Sequence, residues 1–276
     1  MKSFKCKVIT PMFLTGVDGR TPEMRPPSLK GVLRYWWRAV KAMDNVSNMR
    51  ETENKLFGGA GKGEGRSKIT VRAGYKQFCT EKVQPLPHHK GDKKAYKSPA
   101  IVAGETFSIT FSGQEAINSE LEELFYLVSV LGGLGKRSRR GFGSFALDGR
   151  EANSEAVVAA LDKMAPGKYR LDGNEINATD TSAAADYPYI RNIAFGKGYG
   201  SYYRLLQHIG EGTHKYCDDA LGYSNRNKRL ASPVCVSVVY RNNQYYPVVT
   251  ILNTVTGGAP LNHLKPQEDF KTWVLS

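Results

Sequence analysis

No stretch of eighteen consecutive apolar residues occurs anywhere in the chain, which excludes a membrane-spanning helix of ordinary length. The first residues, Met-Lys-Ser-Phe-Lys-Cys-Lys-Val, alternate rather than form an apolar core behind a basic head, so no secretory signal is expected. Cysteine is scarce. The four present (Cys6, Cys79, Cys217, Cys235) stand far apart with no C-x-x-C pair. Reduced thiols in a cytoplasmic protein are expected, with neither a disulfide framework nor a zinc site. The G-x-S-x-G of a serine hydrolase is absent, and residues 10–28 contain no histidine. Acidic residues are missing from one conspicuous place, the eleven positions that follow Lys30 up to Lys41.

What is present is positive charge, unevenly placed. Residues 1–150 carry 26 Lys and Arg against 14 Asp and Glu, a net +12, whereas the rest of the chain is almost balanced at +1. A polyanionic partner for the first half follows, nucleic acid being the commonest and an acidic protein neighbour the competitor that charge alone does not separate. The acid-free stretch sits in Arg25-Pro-Pro-Ser-Leu-Lys-Gly-Val-Leu-Arg-Tyr-Trp-Trp-Arg-Ala-Val-Lys-Ala-Met43. Pro26 and Pro27 are expected to block helix until an N-cap at Ser28. Wound at about 100° per residue, Leu29, Val32, Leu33, Trp36, Val40 and Met43 make one apolar face. Lys30, Arg34, Arg38 and Lys41 make a cationic stripe, with Trp37 at one margin and Gly31 at the other. A solvated face is the ordinary fate of such a stripe; a second basic cluster later in the chain argues for a ligand.

Along the chain, residues 4–9 alternate as a strand, and residues 14–24 form a long loop into the helix. Residues 50–57 make a short second helix ending at Gly58-Gly59. Strands are expected near 69–71, at 105–111 and at 142–147, with a helix over 119–131 opened by a Ser119/Glu122 capping box. Residues 75–100 read as an irregular basic insertion; His88 and His89 within it are more simply a solvated pair than metal ligands. The order strand, helix, strand, strand, helix, strand is the split β-α-β arrangement of ferredoxin-like domains. Beyond residue 150 the pattern weakens: a helix at 154–164, a linker over 171–186, a strand at 187–195, a helix at 201–209, a hairpin pairing 233–240 with 245–252 around Asn242-Asn243, and a last helix at 266–274. The expected fold class is α+β, two ferredoxin-like (RRM-like) units with antiparallel sheets and helices packed on one face, residues 1–150 forming the basic unit and 151–276 a divergent second one.

The second cluster is Gly132-Gly-Leu-Gly-Lys-Arg-Ser-Arg-Arg-Gly-Phe-Gly-Ser-Phe145. Four cations in five positions do not pack in a core, and the glycines let backbone and its N–H groups approach a phosphate. It is not a P-loop: the G-x-x-x-x-G-K-[ST] spacing is lacking, and the segment follows a helix instead of opening one.

Ser28-Leu-Lys-Gly-Val-Leu-Arg34, then Glu53 with Leu56-Phe57-Gly58, then the glycine-rich loop, resemble the RAMP proteins of CRISPR systems. Within them, Arg25 to Gly31 with Arg34-Tyr-Trp-Trp-Arg38 is similar to the first-subunit family of the type III-B (Cmr) RNA-targeting effector. The resemblance covers residues 1–150, with Arg229-Leu-Ala-Ser-Pro233 a weaker echo. It implies two ferredoxin-like units, contact with guide (CRISPR) RNA and target RNA, docking to other subunits of the Cmr effector complex, and no catalysis. The expected RNA-binding residues are Arg25, Lys30, Gly31, Arg34, Trp37, Arg38, Lys41, Lys136, Arg137, Arg139 and Arg140, with no catalytic residue, cofactor or metal. The alternative is a metal-dependent endoribonuclease using Asp18 in the first loop, with Glu23 as the nearest second carboxylate. In isolation most loop aspartates are turn residues.

Overall fold

The computed structural model describes residues 1–61, 64–87, 96–179, 187–225, 228–255 and 264–276; His88 and His89 lie outside them. In the first half, β1 (Lys2–Val8) leads through a loop to α1 (Pro26–Lys41) and α2 (Val46–Phe57). Then come β2 (Thr70–Gly74), β3 (Thr80–Val83), β4 (Ser98–Ile101), β5 (Thr106–Ser112), α3 (Glu115–Leu131) and β6 (Phe145–Leu147). The main sheet has the order β2-β5-β1-β6, every neighbour antiparallel. That is the strand order a split β-α-β arrangement generates. Alternation decides which face is buried. Phe4, Cys6 and Val8 point inward with Phe107, Ile109 and Phe111, and Phe125 of α3 packs edge-on against Phe4 and Phe111 at 5.6 and 5.3 Å between ring centroids.

Several boundaries differ from expectation. Helix α1 begins at Pro26, with Arg25 as the extended N-cap and both prolines inside the first turn. The first-turn N–H groups have no helical partner, so two residues of fixed φ open the helix at no cost, and Ser28 is not its cap. Helix α3 starts at Glu115, one turn ahead of the Ser119/Glu122 signal. The 75–100 insertion is not wholly irregular, because β3 and β4 pair across it.

The second half runs α4 (Ser154–Met164), β7 (Tyr169–Asp172), β8 (Glu175–Ala178), β9 (Ile190–Phe195), α5 (Tyr202–Lys215), the short pair β10 (Tyr223–Asn225) and β11 (Lys228–Leu230), β12 (Val234–Arg241), β13 (Gln244–Leu252) and α6 (Lys265–Leu275). Its sheet is five-stranded, β12-β13-β9-β8-β7. The 171–186 stretch, expected to be linker, opens instead with β7 and β8, which turn at Gly173 with φ +58°. Asn242 and Asn243 both have positive φ, the geometry a tight hairpin turn between twisted strands requires.

The two halves share one hydrophobic cluster: Leu33, Trp37 and Leu124 belong to it, and so do Leu161, Ile193 and Val239. Polar contacts follow the same seam. The last carbonyls of a helix lack helical donors. At the end of α1, Tyr169 donates to the carbonyl oxygen of Val40 at 2.8 Å, and Tyr187 donates to that of Met43 at 2.7 Å. Desolvation raises both phenols, Tyr187 to about 12.

Candidate RNA-binding site

The cationic stripe of α1 meets an acid from the next helix. Glu53 of α2 is 3% exposed, and it accepts from Arg34 Nε at 2.7 Å while Arg38 Nη1 lies 3.6 Å away. Arg34 also donates to Asn54 Oδ1 at 3.1 Å. A buried carboxylate is costly unless paired, and two guanidiniums pair it here with one positive charge left over. Lys41 is committed elsewhere, to Glu120 at 2.8 Å and to the carbonyl oxygen of Met164 at 2.8 Å. Trp37 is not at a margin: it is 1% exposed, donates from Nε1 to Glu120 at 2.9 Å and meets Phe57 edge-on. Neighbours on both sides widen the buried arc of α1 past the indole, so Trp37 has no free face for a base. Lys30 keeps a partly exposed ammonium, held below its ordinary pKa by partial burial and by Arg34. A methyl at Gly31 would meet nothing within 4 Å, so packing does not require glycine there.

Because Glu53 is buried and paired, Glu53→Gln should lower stability by about 1–3 kcal/mol in urea unfolding, the Arg partners being one-third exposed. If Arg34 and Arg38 also reach RNA, the same change raises RNA affinity by releasing them.

The glycine-rich loop is shaped by close backbone crossings. Gly135 (φ +88°) passes the carbonyl of Phe13, and Lys136 N–H donates to that carbonyl at 2.9 Å. Gly143 (φ +67°) crosses Leu134, where an added Cβ would overlap the Leu134 carbonyl oxygen. On its far side the loop docks on β12: Val236 N–H donates to Arg139 O at 3.1 Å, and Gly141 N–H donates to Val236 O at 2.7 Å.

This docking alters the role of two of the four cations. Expected to pack against nothing, Arg139 and Arg140 are in fact built in. Arg139 donates to the Ser232 carbonyl at 2.5 Å with its guanidinium over the Tyr35 ring at 5.2 Å. Arg140 donates to the carbonyls of Val234 and Arg139, each at 2.8 Å, and to Ser232 Oγ at 3.0 Å. Burial lowers Arg140 to about 10, and Arg137 and Arg139 act in the same direction. Lys136 is exposed. Arg137 holds a left-handed backbone (φ +66°), which a non-glycine residue adopts only under constraint, and its buried Nε has no hydrogen-bond partner. None of the four forms an ion pair among the described residues. The charges of Arg139 and Arg140 are met by carbonyls and are not cancelled.

A groove of about 350 Å³ joins this loop to the start of α1, lined by Gly135 and Lys136 on one side, Arg25, Ser28 and Val32 on the other, and Phe13 to Thr15 between them. The two basic elements therefore meet at one end of the sheet, but through Arg25 and the Ser28–Val32 side of α1. Lys30, Arg34 and Arg38 face the α2 side. Phe13 and Thr15 carried no signal in the sequence, since neither charge nor motif marks them, and Ser28 was read there as a helix cap within a motif, not as a groove residue.

Asp18 caps its own turn: Arg20 and Thr21 N–H groups both donate to Oδ1 at 2.9 Å, and the Thr21 hydroxyl donates to Oδ2. The Thr21 hydroxyl first, then these N–H groups, hold the carboxyl down to about 2. Among the described residues, no group of three His, Cys, Asp or Glu side chains is placed to hold a metal.

Residues 5–146 match the family model of the RAMP superfamily. The CRISPR system Cmr subunit Cmr1-2 of Pyrococcus furiosus is 29% identical over 174 residues, 51% of this chain and 91% of that protein. Cmr1-1 of the same organism is 32% identical over 166 residues, 53% of this chain and 47% of that protein. Over 99% of its length the chain also superposes on apo Cmr1 from Pyrococcus furiosus, covering 95% of it, with TM-score 0.63 and 16% identity. A chain of the type III-B Cmr-beta complex bound to cognate target RNA gives TM-score 0.61 at 11% identity, with 99% of both chains covered. At such identities the structural likeness is one of fold. The family match takes in nearly all of the first sheet together with α1, α3 and the glycine-rich loop, and on it the chain belongs to the RAMP superfamily.

Proposed function

We propose that the chain is a non-catalytic, RNA-binding subunit of a type III-B CRISPR (Cmr) effector in the cytoplasm, acting in antiviral defence. It contacts guide or target RNA at the glycine-rich loop and docks against other subunits of the complex. The observation that carries this is the set of loop cations: four charges, no carboxylate partner among the described residues, and a groove open beside Lys136. Their neutralisation is left to a ligand. Within the groove Lys136 and Arg25 take phosphates first, with Arg137 next to Lys136 along the loop; Lys30 and the surplus charge of the Arg34–Glu53–Arg38 set extend the track. Both halves are ferredoxin-like, the second one rearranged: β9-α5-β12 with β13 between them is a split β-α-β, and β8, from earlier in the chain, takes the fourth-strand position.

Binding of single-stranded RNA to the isolated chain across a salt series tests this. Three to four phosphate contacts give a log–log slope of about −2 to −3; a salt-insensitive affinity overturns the proposal. The same mixtures with Mg²⁺ or Mn²⁺ should return the RNA uncut. Cleavage abolished by Asp18→Ala replaces the binder with the nuclease.

A further inference from the structure

The first sheet has a second face, turned away from α1 and α3. Alternation puts Lys5 and Lys7 of β1 there, and register sets Ser108 beside Lys5, Thr106 beside Lys7, and Arg72 beside Thr110. The face carries cations and small hydroxyls with no carboxylate among these positions. It floors a groove of about 1010 Å³. One wall is the segment Tyr75 to Gln77; the other is Asp148 to Arg150 with Tyr240 of the β12–β13 hairpin. A polar outer face is what any half-buried antiparallel sheet shows, so polarity alone carries nothing.

Three features go beyond it. Lys5, Lys7 and Lys76 form no ion pair among the described residues, although Glu105 and Asp148 line the same groove. Tyr75 is 40% exposed while stacked on Phe78 at 4.5 Å with an interplanar angle of 7°, so one ring face is covered and the ring is held in place at the groove wall. Tyr240 is 41% exposed on the opposite wall. Unpaired cations along a floor, with aromatic rings fixed at its walls, is the arrangement that binds single strands without reading sequence: cations follow phosphates and rings take bases.

We propose that this outer sheet face is a second single-stranded RNA track, separate from the glycine-rich loop, with Lys5, Lys7 and Lys76 on the phosphates and Tyr75 and Tyr240 stacking on bases. The loop groove opens beside α1 on the helix side of the sheet, so the two tracks lie on opposite faces and hold separate segments of RNA. Charge suits both a phosphate backbone and an acidic peptide; a file of cations with planar rings at both walls fits a strand that carries a charge and a planar base at every residue, which favours RNA.

The test uses the full chain and a short labelled oligouridylate. In the Lys136→Ala/Arg137→Ala background, residual binding should persist, and ultraviolet cross-links should map to Tyr75 or Tyr240. Adding Lys5→Ala, Lys7→Ala and Lys76→Ala, all exposed positions, should weaken that residual binding at least about fivefold and lower the salt slope, with the melting temperature unchanged. The proposal is overturned by loss of all RNA binding in the loop variant alone, which leaves the loop reading intact, or by residual binding that ignores the three lysines. Retained RNA binding with weakened association to a partner subunit also overturns it, and makes the face a protein-docking surface.

Discussion

Trp37→Ala should lower the stability of the chain by about 3 to 5 kcal/mol in chemical unfolding, among the largest effects of any single side chain in the first half. Trp37 is a large side chain that is fully buried, set between α1, Phe57 of α2 and Glu120 of α3. Truncation opens a cavity where three helices meet and removes a donor from Glu120, though Lys41 still pairs with that carboxylate. Trp37→Phe keeps most of the volume and should cost about 1 kcal/mol for the lost hydrogen bond. RNA added to the wild type and to Trp37→Phe should give the same fluorescence change, because the indole has no free face. Quenching that disappears in Trp37→Phe would show that α1 opens to expose it, against the packing described here.

The loop cations should divide into two pairs with opposite signatures. Lys136→Ala/Arg137→Ala should weaken RNA binding at least tenfold, about 1.4 kcal/mol, with almost no change in melting temperature. Lys136 is exposed, and the Arg137 Nε gives up no hydrogen bond. Arg139→Ala/Arg140→Ala should instead destabilise the fold by about 2 to 4 kcal/mol. It strips donors from the carbonyls of Ser232 and Val234 and removes the guanidinium over Tyr35, and unsatisfied buried acceptors cost about 1–3 kcal/mol each. Relief of a buried, uncancelled charge offsets part of this, which sets the upper bound. If both pairs weaken RNA equally at constant stability, the docking of the loop on β12 is not what holds Arg139 and Arg140.

Much of the first half was legible in the sequence because period-two and period-3.6 patterns there report directly on one buried face. Phe4, Cys6 and Val8 alternate, and Leu124, Phe125, Leu127 and Val128 repeat at helical spacing. What escaped was set by partners distant in sequence. Glu53 lies 19 residues from Arg34, and a helical wheel shows the stripe but not what faces it. Two of the acceptors that hold Arg140, the Val234 carbonyl and the Ser232 hydroxyl, lie more than ninety residues later, and such pairings leave no mark in composition. Strands β7 and β8 were hidden because each has four residues and the polar run between them reads as loop. Pro26 and Pro27 were read as breakers by type, whereas position inside the first turn made them helix starters.

The hydrogen bonds of Val236 carry a last consequence. Its N–H and C=O are both taken by the loop, and the neighbouring Val238 N–H donates to Ser144 Oγ at 2.9 Å. Loop residues thus supply the partners along the exposed edge of β12, an edge that would otherwise offer itself to another strand. Any opening of the loop frees that edge, and any ligand that holds the loop shut protects the Val236 and Val238 amides from exchange with solvent. Deuterium uptake at two valines of the hairpin is therefore a gauge of loop occupancy, read from the half of the chain that carries almost no net charge.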